Sequence, residues 1–370
     1  MRDDKVSMYQ LAIICILVSV VPIVRYFPIS LTDTAGRGAW VGALLTIIPA
    51  MLLVCVLHEL MNKLKTKEGK PKNLNNVFDT VYGKMLGKIL SFSYLLWVLI
   101  FVAAQLRFFG ERLISTTYIY TPIIFLLTTM LILTFFVARG RISNFGRFAE
   151  IFFELFVIII AFVVVASASN FELKNVWPIN KQEIIGIPQA ILRGTSIFGT
   201  LTIGMFFAEK IEDRKNIKKY GIMATLVITV IGLIGIFVTL GTFGKDLLPT
   251  LAQPFFMALK VISVFGVIER IEAVFITFWV VADFILITYD IIVASNICKQ
   301  RFKLTKRRIA VTPLVFIIFI LSMLIANNFF ALQILFTKFL ANINIIFGLA
   351  VPLVTYIIAK ARGLLKPKNE

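Results

Sequence analysis

Apolar stretches of about 20 residues follow one another along almost the whole chain, and nothing constrains its fold more. In hydrocarbon every backbone N–H and C=O must be satisfied within the spanning structure, which leaves helices or closed barrels. Runs of this length suit helices, because membrane strands need only about 9–11 residues. The sequence therefore reads as an all-α integral membrane protein. Its 59% hydrophobic content lies well above the roughly 45–50% usual in soluble domains. Ten transmembrane helices are expected, near 8–31, 38–61, 88–114, 120–138, 148–168, 187–208, 220–243, 268–296, 308–327 and 334–360. The first run is expected to persist as a span, since no small-residue cleavage site follows it.

The net charge of +18 invites a nucleic-acid reading, but its distribution argues against one. With the N-terminus inside, 27 of the 38 lysines and arginines fall in cytoplasmic segments and six in external ones, Arg112 among the six. That asymmetry is the positive-inside rule, with both termini cytoplasmic and the lipid bilayer as the basic residues' partner. Cys15, Cys55 and Cys298 have no metal-ligand spacing and His58 has no second ligand nearby in sequence, so neither metal nor cofactor is expected. Gly-rich phosphate loops and G-x-S-x-G elbows are absent, and the chain does not read as an enzyme. Between the second and third spans, Leu74, Val77, Phe78, Val81, Met85 and Leu86 recur at helical spacing, which predicts an interfacial helix. The segment LLPTLAQPFFMALKVISVFG reads as an external amphipathic or partly re-entrant helix.

Ten spans divide into five plus five. Five is odd, so a second copy of the unit enters from the opposite side, giving an inverted repeat of about 8–168 and 187–360 within one transmembrane domain. Spans 1 and 6 become equivalent. Span 1 carries Pro22 and Pro28; span 6 carries Gly194, Gly199 and Gly204 among Thr195, Ser196, Thr200 and Thr202. Interrupted helices at matching positions point to a midplane binding site where half-helix ends face a ligand. The alternatives are a simple kink in span 1 and close helix packing through small residues in span 6.

Charges inside spans concentrate in an expected outer layer: Arg25, Arg107 with Glu111, Arg193, and Glu269, Arg270 and Glu272. In a bundle these face inward and pair, as a gate of ion pairs or as contacts that fix helix register. Asp283, near the middle of span 8, is the candidate proton or cation site, with hydrogen bonding to a neighbouring helix as the alternative.

These residues resemble the B subunits of spore germinant receptors, the endospore germination permease (GerAB-type) family. The resemblance rests on IERIEAVFITFWVVADF with the later ASNICK, on MYQLAI opening span 1, and on Pro28. It rests also on Q-L-R-x-x-x-E in span 3, VWP before span 6 and FFAEKIEDRKNIKKY after it. It covers essentially the whole chain. The resemblance implies the ten-helix inverted-repeat (LeuT-like) fold of the amino acid/polyamine/organocation transporter superfamily, with helices 1 and 6 broken. It implies residence in the endospore inner membrane beside A and C receptor subunits, and recognition of an amino acid, sugar or nucleoside germinant. Relatives often carry a Gly-Ala-Gly-like break where this chain has Val21, Pro22 and Ile23, and a Gly and a Glu where it has Thr200 and Thr202. The expected germinant contacts are therefore Val21, Pro22, Ile23, Ser196, Phe198, Gly199, Thr200 and Thr202. The rival functions are a secondary amino acid transporter coupled to H⁺ or Na⁺, and an ion- or water-conducting subunit of the same complex.

Overall fold

The computed structural model describes residues 4–64, 69, 72–261 and 271–365, without the side chains of 271–274. Among these residues the architecture is helical throughout: α1 Met8–Arg25, α2 Phe27–Ala35, α3 Ala39–Leu45, α4 Ile47–Asn62, α5 Leu74–Tyr82, α6 Lys84–Thr116, α7 Ile123–Arg139, α8 Ile142–Ser167, α9 Lys181–Thr195, α10 Gly199–Gly204, α11 Ile217–Leu247, α12 Pro254–Val261, α13 Ile271–Arg301, α14 Arg308–Leu324, α15 Phe329–Ile334, α16 Ala341–Ile345 and α17 Val351–Ala361. Eight helical stretches are long and apolar enough to cross a bilayer. Two shorter apolar helices, α7 and α14, fall where the fourth and ninth spans were expected.

Helix α1 is apolar on every side and buried from Leu11 to Arg25, the pattern of a helix enclosed by protein. It packs on α8, α10, α11 and α13, while α6 packs on α13 and α14. Ile132, Phe136, Ile158, Phe316 and Ile357 point outward, as a lipid-facing belt should. Val6 exchanges backbone hydrogen bonds with Lys210 and Glu212 (2.9 and 3.0 Å), and Leu64 bridges Leu365. The two chain ends, the end of α4 and the end of the sixth expected span thus share one end of the bundle, called here the termini end.

The first helix breaks later than expected. Pro22 stays inside α1, and the break falls at Tyr26 (φ −129°), whose N–H donates to the Pro22 carbonyl at 3.1 Å. Pro28 causes it: a proline ring crowds the carbonyl four residues back and biases its predecessor away from the helical region. Pro28 therefore does not end the first span, which resumes as α2 and runs to Ala35. The sixth stretch is irregular too. It tightens into 3₁₀ turns at Ser196–Phe198 and Met205–Lys210, on either side of α10. Helix α2 packs on α9, and α1 on α10, so the first half of each broken helix meets the second half of the other. The last stretch is interrupted by two π-helical turns, Leu335–Leu340 and Ile346–Ala350.

Helix α5 forms where helical spacing placed it, capped by the Asn73 side chain accepting from the Asn76 N–H (3.2 Å). Its Leu74, Val77, Phe78 and Val81 are buried within the protein, so it is a docked strap rather than an interfacial helix. Arg301 clamps it, with one guanidinium nitrogen 2.9 Å from each oxygen of Asp79. Met85 and Leu86 belong to α6 and are exposed. The expected external amphipathic segment contains the 3₁₀ turn Leu248–Thr250 and α12, and its remainder, from residue 262, lies outside the described residues.

Candidate functional site

The site is built along α6. Trp97, Phe101, Gln105, Phe108 and Arg112 are spaced by four, four, three and four residues and so share one helix face. The part of this stripe nearer the termini end meets the broken helices around a cavity of about 20 Å³, lined by Val18, Pro22, Tyr26, Trp97, Phe101, Ser196, Gly199, Thr200 and Asn344 among others. Pro22 has no N–H, so the Val18 carbonyl loses its i+4 donor at this point. The Trp97 indole donates to Asn344 Oδ1 at 2.8 Å across the cavity wall. Thr200 shares a hydroxyl contact with Ser19 (3.2 Å), and its carbonyl accepts from the Tyr289 hydroxyl at 2.6 Å. A cavity of this size holds about one water molecule, so the site is closed in this conformation.

Of the expected ligand contacts, Pro22, Ser196, Gly199 and Thr200 converge on this cavity. Val21, Ile23 and Phe198 are buried but do not line it, and Thr202 instead donates to the Gly348 carbonyl at 2.6 Å. Sequence reasoning passed over Tyr26, Trp97, Phe101 and Asn344. The signal for Asn344 was available, because an asparagine within an apolar run marks a site that packing must satisfy. A groove of about 630 Å³ between α7 and α14 is larger, but it is lined by outward apolar residues such as Ile132, Phe136 and Phe316 and lacks converging polar groups.

Further from the termini end on the same stripe, Arg25, Asp283 and Arg112 form a buried ion triad. Arg25 binds one Asp283 oxygen and also Gln105, while Arg112 binds the other Asp283 oxygen. Asp283 is fully buried and Arg112 is 3% exposed. This corrects one expectation. Arg112 is not an external-segment cation but a core residue, because its helix runs on to Thr116. Both oxygens of Asp283, the candidate proton or cation site, are held by guanidinium groups of neighbouring helices, the arrangement given as its alternative.

The expected outer layer is not one network among the described residues. Arg107 pairs with Glu111 through Nε and Nη2 (2.9 and 2.7 Å). Arg193 reaches away from both, to Asp33 (3.0 Å) and the Ser30 carbonyl. Glu269 and Arg270 lie outside the described residues, as does the side chain of Glu272. Asp290, two turns from Asp283 towards the termini end of α13, is fully buried, and neither carboxylate oxygen has a hydrogen-bond partner.

Comparison with known proteins places this geometry. The family model Spore_permease, described as "Spore germination protein", matches residues 5–331. The chain is 24% identical over 369 residues to YfkT of Bacillus subtilis (strain 168), covering 99% of each chain. It is 23% identical over 333 residues to "Spore germination protein KB" of the same organism, covering 89% of this chain and 87% of the relative. Among solved structures, "Crystal structure of MhsT in complex with L-phenylalanine" superposes with a TM-score of 0.69 at 11% identity, over 98% of this chain and 91% of that one. That likeness shows a LeuT-type fold, and the apolar helices together with the family match show a multi-pass membrane protein. With most of its length matched by the family model, the chain belongs to the Spore_permease family of spore germination proteins.

Proposed function

We propose that this chain is the germinant-binding membrane subunit of a spore germinant receptor, a binding and signalling protein rather than an enzyme. Its helices form a five-plus-five inverted repeat in the inner spore membrane, with both termini cytoplasmic. A small polar germinant of the amino acid, sugar or nucleoside class enters the cavity between α1, α6, α10 and α16. Opening of that cavity shifts a two-state equilibrium felt by the A- and C-type subunits. The observation that carries this reading is the meeting of both broken helices with Trp97 and Asn344 around one small closed cavity. The L-phenylalanine in complex with MhsT, a protein of the same fold, supports the amino acid class.

The test is a dose–response curve for spores carrying Thr200→Val or Asn344→Ala, with response normalised to immunoblotted protein. An unpaired polar group on the ligand costs about 1–3 kcal/mol, so half-maximal concentration should rise roughly 5- to 150-fold at unchanged abundance. Unshifted curves for both variants place the germinant elsewhere and refute the assignment. A second reading, cation-coupled transport, is favoured by the unpartnered Asp290. Accumulation of labelled L-amino acids in proteoliposomes that stops on Asp290→Asn would select it.

A further inference from the structure

We propose that the recess between α1, α6, α13, α15 and the segment leading into α12 is a second ligand subsite, and that it takes a carboxylate anion. It goes beyond the germinant cavity, from which it is separate. Phe101 lines the cavity and Phe108 the recess, and seven residues along one helix set the two about 10 Å apart.

Charge points to an anion. Among the described residues Asp283 balances only one of the two guanidinium groups that bind it, so the triad itself carries a net positive charge in the core. A buried charge without compensation is strongly disfavoured, and an anion supplies what is missing. Hydrogen bonding points the same way. Arg25 Nε, Arg112 Nη1 and Trp279 Nε1 are buried and have no acceptor among the described residues. Their residues are 7%, 3% and 7% exposed, and all three line one recess of about 10 Å³ with Gln253 and Phe329. Three unpartnered donors around a net positive charge match a carboxylate, which offers lone pairs, beside one unpartnered acceptor, Gln253 Oε1. A neutral hydroxyl would serve Gln253 Oε1 but leave the charge unbalanced, and cations are repelled.

The walls hold the donors still. Phe108 lies 5.1 Å from the Arg25 guanidinium carbon and Trp279 lies 4.7 Å from that of Arg112, both in cation–π geometry. Gln253, held to the Ser115 hydroxyl at 3.0 Å, closes the side towards α12. At about 10 Å³ the recess holds at most one atom-sized group in this closed conformation, so a carboxylate enters only as its walls part.

The test uses the purified full chain in detergent and two probes of matched shape, acetate and acetamide. Ionic strength is held with a bulky sulfonate buffer salt. Acetate should raise the thermal unfolding midpoint saturably, and acetamide should leave it unmoved. Trp279→Phe keeps the aromatic face over Arg112 but removes one donor, and should raise the half-saturating acetate concentration about tenfold. Arg112→Lys keeps the charge without the fork and should also weaken acetate. Thr200→Val, in the other cavity, should not, which separates failure here from failure of the germinant assignment. Equal responses to acetate and acetamide, or an unchanged acetate response in Trp279→Phe, would overturn the proposal.

Discussion

Replacing Asp283 with asparagine tests the energetics of the core most directly. The residue is fully buried and each oxygen holds one guanidinium group, from Arg25 on α1 and from Arg112 on α6. At an effective dielectric of about 20, each contact contributes on the order of 4 kcal/mol of attraction, offset in part by repulsion between the arginines and by desolvation. Breaking a single buried pair costs about 3–5 kcal/mol, and two partners losing one counter-charge puts the expected loss at the upper end. At about 1.4 kcal/mol per tenfold change, the unfolded or misassembled fraction should rise roughly 10³- to 10⁴-fold. The assay is unfolding of the purified protein in lipid nanodiscs, followed by thiol reactivity of buried Cys15. Charge counting makes the prediction sharper. Adding Arg25→Gln to Asp283→Asn returns the net charge of the cluster to its original value, so the double variant should be more stable than the single. An Asp283→Asn variant as stable as the parent, or a double variant whose losses simply add, would refute the triad as the element joining α1, α6 and α13.

Two further outcomes follow from the geometry. A Cβ at Gly348 would lie 2.6 Å from the Gly199 Cα, whereas one at Gly199 meets only ordinary contacts from 3.5 Å outwards. Gly348→Ala should therefore lower stability by about 1–3 kcal/mol while Gly199→Ala is tolerated, and unfolding midpoints of the two variants check it. Cysteines placed at Lys215 and at Lys174, in otherwise cysteine-free protein, should react with impermeant reagents from opposite faces, Lys215 from the cytoplasm. Labelling of both from one face would refute the orientation.

Much of the helical layout was legible because apolar length is a local property. The irregularity of the first and sixth helices was legible as well, since proline and clustered glycine act where they stand. The position of the first break was not. Pro22 and Pro28 carry the same local signal, and only the surroundings show that α1 accommodates Pro22 while Tyr26 yields ahead of Pro28. Depth along a helix misled the reading of Arg112, which was placed by its closeness to a span end. Its stripe with Trp97, Phe101, Gln105 and Phe108 was present in the spacing and points to the same face as the site. Partners remote in sequence were beyond reach. Nothing in the neighbourhood of Arg25 or Arg193 announces Asp283 or Asp33, because those pairings depend on which helices become neighbours.

The same contacts decide which wall of the cavity can yield. On one side α1 is tied to α6 by Arg25 with Gln105, and to α13 by Arg25 with Asp283, so those three helices move together or not at all. On the other side stand the 3₁₀ turn Ser196–Phe198 and the π-helical turn Ile346–Ala350, joined by the close approach of Gly199 to Gly348 and by Thr202 donating to the Gly348 carbonyl. Turns of these two types have weaker hydrogen-bond geometry than the α-helix and commonly mark functional hinges. Widening a cavity that holds one water enough to admit an amino acid separates Trp97 from Asn344, whose side-chain hydrogen bond ties α6 to α16. Each neutral bond of this kind contributes about 0.5–1.5 kcal/mol, less than the ion triad, and others on this side include Tyr94 to the Phe347 carbonyl, Tyr289 to the Thr200 carbonyl and Ser19 with Thr200. In the germinant-receptor reading, opening would therefore break this small set of neutral bonds as α10 and α16 leave the α1–α6–α13 frame, while the Arg25–Asp283–Arg112 triad stays intact.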